Sequence, residues 1–144
     1  MILLTNILMI NELRDSILIE LKGLDSVAEI YDWIPKKFWG FPSIYFTFDR
    51  IESNSLDSHT LDRTYYFTIN VFQETTTNGN IQSERNLSDL LDDIINIFDE
   101  SDLGGLAMYI EEVGGNIQPV ETDNWPALHA IVVLAIHTAY SPYI

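Results

Sequence analysis

The hydrophobic patterning of this 144-residue chain predicts an α+β domain: a mostly antiparallel sheet flanked by two main helices. Three observations carry that reading. Residues 2–21 and 86–102 place apolar side chains at helical spacing. Residues 43–51 and 63–74 alternate with a period of two, and residues 128–140 form a long apolar strand. The order of patterns is helix, strands, helix, strands. The length is that of one domain, residues 1–144, large enough to bury its own core.

The first helix carries Leu3, Ile7, Ile10, Leu13, Ile17, Leu18 and Leu21 on a broad stripe and stops at Gly23. It is more apolar than a helix covering a single sheet face needs, so part of it is expected to meet another subunit. Strand candidates follow at 27–34 and 43–51, split by Pro35, Gly40 and Pro42. In the second, Ile44, Phe46 and Phe48 alternate with Tyr45, Thr47 and Asp49, one face toward a core and one toward water. Residues 52–62 are polar and read as a loop of about 11 residues, longer than a tight hairpin needs. Its Asp57, His59 and Leu61 are the candidates for reaching a neighbouring subunit.

Residues 63–74 are the clearest strand. Tyr65, Phe67, Ile69 and Val71 share one face; Tyr66, Thr68, Asn70 and Phe72 share the other. Asn78-Gly79 marks a turn. The second helix is expected over 86–102, with Asn86 as N-cap, Asp89 near the positive end of the dipole and Gly104-Gly105 as the stop. Asp99, Glu100 and Asp102 sit at its negative end and each cost a few tenths of a kcal/mol at an exposed site. Residues 106–113 and 117–122 read as a hairpin around Gly114-Gly115, with Pro119 placing its second arm at an edge. In the last strand, apolar residues occupy both faces, which predicts a central or doubly covered position.

Charge narrows the function. The net charge is −15, and after Arg85 there is no lysine or arginine at all. Such a surface repels phosphate backbones and argues against ordinary nucleic-acid binding. The hydrophobic content of 47% argues against disorder. The lack of cysteine excludes disulfides and thiolate metal sites. The apolar N-terminus lacks a preceding basic residue and is interrupted by Glu12, Arg14 and Asp15, so no membrane span or signal segment is expected and the protein reads as soluble and intracellular.

No phosphate-binding glycine loop, nucleophile elbow, paired-His zinc helix or cysteine nucleophile is present. His129 and His137 lie eight residues apart on one strand, about 25 Å at strand rise, too far to share a metal. His59 sits beside Asp57 and Asp62, but nothing fixes a geometry there, and a solvated loop histidine is the expectation. The run from Asp99 to Gly104 resembles the start of a calcium loop; Leu103 and Ile110 occupy positions that require oxygen ligands, which removes it. Neighbouring acids such as Asp92 and Asp93, or Glu111 and Glu112, diverge on their elements and do not converge on a substrate. The expectation is a non-enzymatic protein with no cofactor or metal.

The layout carries a resemblance. An N-terminal helix, the strand with Ile30-Tyr31-Asp32, the segment Gly40-Phe41-Pro42-Ser43-Ile44, the aromatic strand ending in Phe72-Gln73-Glu74, an acidic helix and a final apolar strand are similar to the small tail-terminator and tail-completion proteins of long-tailed bacteriophages. That resemblance implies a subunit of a ring, usually six-membered, at the head-proximal end of the tail tube. The ring would stop tube polymerisation, dock on the head connector and pass DNA through its lumen without binding it specifically. The implied partners are other copies of the chain, the tail tube protein and the head-completion protein. The implied location is the virion neck, with host cytoplasm during assembly. Asp89, Asp92, Asp93, Asp99, Glu100 and Asp102 are the candidates for an acidic lumen or partner face. A small acidic inhibitor or immunity protein blocking a basic nuclease site explains the charge equally well, but explains the apolar first helix and last strand less well.

Overall fold

A computed structural model describes residues 2–55, 61–75, 80–114, 117–122 and 125–140; at the rims of some of these segments only the backbone is described. The elements are α1 (Ile2–Lys22), β1 (Glu29–Tyr31), β2 (Ser43–Ser55), β3 (Leu61–Glu74), α2 (Asn80–Asp99), β4 (Tyr109–Gly114), β5 (Gln118–Thr122) and β6 (Trp125–Tyr140). The strands form one sheet in the order β1-β2-β3-β6-β4, with β5 also paired to β6. Only β1 and β2 run parallel; every other pairing is antiparallel. The chain is therefore α+β with a helix-flanked, mostly antiparallel sheet.

Register explains the core. Ile44 lies opposite Val71, Phe46 opposite Ile69 and Phe48 opposite Phe67. Val71, Ile69, Phe67 and Tyr65 in turn face Ala130, Val132, Leu134 and Ile136. These positions share one face, and the helices cover it with Leu13, Ile17 and Leu21 from α1 and Leu87, Leu90, Ile94 and Phe98 from α2. Each such buried side chain contributes about 1.5–3 kcal/mol relative to exposure. The central position expected for the last strand holds: β6 has β3 on one side and β4 and β5 on the other.

Four expectations change. The strand expected over 27–34 shortens to Glu29–Tyr31, the three residues that find parallel partners on β2, opposite Ser43, Ile44 and Tyr45. Residues 52–55 and 61–62 are strand, paired Glu52 with Thr64 through Ser55 with Leu61, and so are not loop. Polar side chains do not interrupt a ladder built from backbone groups, which is why polarity misled there. Leu61 thus opens β3, while 56–60, with Asp57 and His59, lies outside the described residues.

The second helix begins at Asn80, six residues early, so Asn86 is no N-cap; its side chain accepts a hydrogen bond from Gln82 Nε2 at 2.8 Å, one turn back. Asp89 accordingly lies beyond the first turn. The helix ends at Asp99, and Asp102 belongs to the turn behind it, where its carbonyl accepts from Gly105 N at 3.1 Å and Ala107 N at 2.9 Å. Leu103, Gly104 and Gly105 all take positive φ there. Finally, β4 and β5 do not pair with each other as a hairpin; both lie along the same edge of β6. Sixteen residues of β6 are long enough to serve two short partners in succession.

Candidate functional site

With both helices on one side, the other sheet face is open, and the alternation of β2, β3 and β6 decides what it presents. A bulge between Phe48 and Arg50 puts Asp49 and Arg50 on this face together. Asp49 accepts a hydrogen bond from Thr68 Oγ1. Arg50 pairs with Glu52 at 3.1 Å and lies 4.0 Å over the Tyr66 ring, whose hydroxyl donates to Glu52 at 2.9 Å. The hydrogen bonds from Arg50 and then Tyr66 hold the Glu52 carboxyl below its usual range, and the bond to Glu52 raises the Tyr66 hydroxyl.

One end of this face gathers polar groups around His137. Its Nδ1 lies 3.1 Å from Thr64 Oγ1 and 3.5 Å from Asp62 Oδ2, its Nε2 lies 2.6 Å from Glu111 Oε1, and its ring stacks on Tyr109 at 4.1 Å. Both ring nitrogens are occupied, and Thr64 is only 2% exposed. The arrangement ties β3, β6 and β4 together laterally and offers no free base beside an accessible nucleophile. Asp62 thus stands against His137 across the sheet. Among the described residues no three His, Cys, Asp or Glu side chains are grouped to hold a metal.

The other end is aromatic. Phe72 stacks on His129 at 4.4 Å and on Tyr45 at 5.8 Å, and His129 Nε2 lies 2.9 Å from Asn70 Oδ1. Burial lowers the His129 pKa. The loop between β1 and β2 folds over this end: Phe38 packs 4.7 Å from Phe72 and 5.9 Å from Phe41. Glu29 anchors the loop from beneath, accepting from Trp39 N at 2.9 Å and Ser43 Oγ at 3.3 Å. While Phe38 is drawn in, Trp33, Ile34 and Trp39 are held out at 57%, 67% and 76% exposure. Lys36 and Lys37 are exposed beside them, with Lys37 Nζ 3.6 Å over the Trp39 ring. Sequence reading took Pro35, Gly40 and Pro42 only as strand breakers; the signal missed was three large apolar residues and two lysines with no alternation to bury them.

The six acidic candidates divide. Asp89, Asp92, Asp93, Asp99, Glu100 and Asp102 are all exposed, and no ion pair joins them to a base among the described residues. Asp92 and Asp93 lie three and four residues after Asp89, so these three share one side of α2, while Glu100 follows the helix end. Asp99 differs, because it faces Glu112 on β4. Burial first, and then hydrogen bonding and repulsion from Asp99, raise the Glu112 carboxyl to about 7. Its Oε1 is buried with no hydrogen-bond partner among the described residues. Keeping its proton to about pH 7, Glu112 adds little to the negative charge already gathered at the end of α2. No helix among the described residues is long and apolar enough to cross a membrane. The chain matches no known protein family, and no curated protein is significantly similar to it in sequence.

Proposed function

We propose that the protein is a structural subunit of a phage tail-terminator ring, which ends tube polymerisation and joins tail to head connector. The single observation that supports this reading best is the pairing of two unlike surfaces on one subunit. The loop at the β1–β2 end holds out Trp33, Ile34 and Trp39, while α2 presents an exposed, unpaired row of carboxylates. Apolar surface of that kind is matched by contact with protein, and unlike patches on one subunit generate head-to-tail rings. An acidic wall suits a conduit for DNA because repulsion keeps the passing strand from adhering.

Purified protein, or protein added to growing tail tubes, should form rings visible by electron microscopy with a mass near six times 16.5 kDa. Tubes assembled without it should lack a defined end. Tubes of normal length in its absence would sink the reading. Replacing both Asp92 and Asp93 by lysine should leave folding intact, since both side chains are exposed. Particles carrying that variant should assemble yet eject DNA poorly; normal ejection would remove these two residues from the lumen. The rival reading, an acidic inhibitor of a basic nuclease, draws on the same row of carboxylates. It requires a 16.5 kDa monomer that binds such a nuclease tightly.

A further inference from the structure

The loop over residues 33–39 and the outer face of α2 are complementary in both charge and polarity. Trp33, Ile34, Lys36, Lys37 and Trp39 project from the first, and Lys36 and Lys37 are its only charged residues. On α2, Ile81, Glu84, Arg85, Ser88 and Asp89 line a shallow groove open to solvent. At 100° per residue, Ile81, Arg85, Ser88 and Asp92 point away from the buried Leu87, Leu90, Ile94 and Phe98, so this stripe is directed outward from the core. Ile81 is 72% exposed at one end; Glu84 stands about one turn on, and Asp89 and Asp92 follow about two and three turns on, so the stripe carries three acids against the single base Arg85.

We infer that the groove on α2 receives the 33–39 loop of a second copy of this chain. Trp39 would lie against Ile81, with Lys36 and Lys37 reaching Glu84 and Asp89. The inference rests on the ring reading and names the surfaces that build the ring. Charge selects the occupant. A chain with net charge −15 repels most copies of itself, and the lysine pair brought against the acidic helix is the arrangement that turns this repulsion into attraction. The loop is also held ready. Its Phe38 is packed on Phe72 and its Trp39 backbone is tied to Glu29, so little ordering remains when it docks. Loop and groove are different patches, so the contact is head-to-tail and leaves an open chain of subunits with one free loop at one end and one free groove at the other until a ring closes.

Charge exchange provides the test. One full-length variant carries Lys36→Glu and Lys37→Glu; the other carries Glu84→Lys and Asp89→Lys. All four side chains are exposed, and unchanged circular dichroism and melting confirm that each variant folds. Sedimentation at near-physiological salt should show wild type assembling. Each variant alone should associate at least about tenfold more weakly, because like charges now meet. The equimolar mixture should recover assembly, since every loop then meets a groove of opposite sign. Wild-type assembly that neither variant weakens, or a mixture that fails to recover, overturns the inference and leaves the ring reading standing. A wild type that stays at 16.5 kDa both in solution and on tube ends overturns both. Flotation with vesicles of zwitterionic and anionic lipid, lost on Trp39→Ser, would overturn it in favour of a membrane contact.

Discussion

Replacing Glu112 by glutamine should stabilise the protein above neutral pH and change little near pH 4.5. Glu112 faces the helix-covered side of β4, where α2 ends, and shares its surroundings with Asp99. Its carboxyl ionises at about 7 in the folded chain against an ordinary 4.5. The folded state therefore holds a proton that the unfolded chain has released, and stability falls as pH rises between those two values. At ~1.36 kcal/mol per pH unit the displacement amounts to at most ~3.4 kcal/mol. Glu112 is only half-buried, so solvent screening reduces this to about 1–2 kcal/mol. Glutamine keeps the shape, carries no charge and donates a hydrogen bond to Asp99 at every pH. Urea unfolding at pH 8 should give a gain of about 1–2 kcal/mol, or about 3–8 °C in Tm, that vanishes by pH 4.5. A gain equal at both pH values, or none at pH 8, would refute the raised Glu112 carboxyl. Asp99→Asn should reduce the gain, because it removes the same repulsion.

Phe98 is fully buried under the sheet, and Phe98→Ala should cost about 3–5 kcal/mol in urea unfolding; a loss below about 1 kcal/mol would displace it from the core. His129 is held neutral by burial against Phe72, so wild type should lose stability as pH falls below about 6.5. His129→Gln should flatten that decline, whatever it does to absolute stability, and an unchanged slope would mean another group titrates. Gly105 has a φ of 89° and open space where a Cβ would stand, so Gly105→Ala isolates backbone strain. It should cost about 1–2 kcal/mol, read as a lower urea midpoint.

Much of this fold is visible in local patterning. The alternation of Tyr65, Phe67, Ile69 and Val71 places β3 correctly, and the spacing of Leu87, Leu90, Ile94 and Phe98 defines the buried side of α2 even though its start was misplaced. Those patterns are legible because burial imposes a period of 2.0 or 3.6 on the residues themselves. Element ends were less legible. Asn86 has the right chemistry for a cap, but the helix extends past it because Ser83, a turn earlier, also faces the core side. Gly114-Gly115 has turn chemistry, yet β4 and β5 each find β6 instead of one another.

The candidate site was less visible still. Thr64, Asp62 and Glu111 meet His137 only because β3, β6 and β4 lie side by side in one register, across separations of 73 residues for Thr64 and 26 for Glu111. Glu112 and Asp99 meet because a helix end is laid over an edge strand. Sequence by itself determined the α+β class, the composition of the core and the acidity of α2, since each is a property of residues close together in the chain. Only the tertiary structure decided that one sheet face is open, that Trp33, Ile34 and Trp39 are held outward, and that Glu112 is brought against Asp99. Those are facts about distance between segments, which depend on how the layers pack and on which backbone finds which.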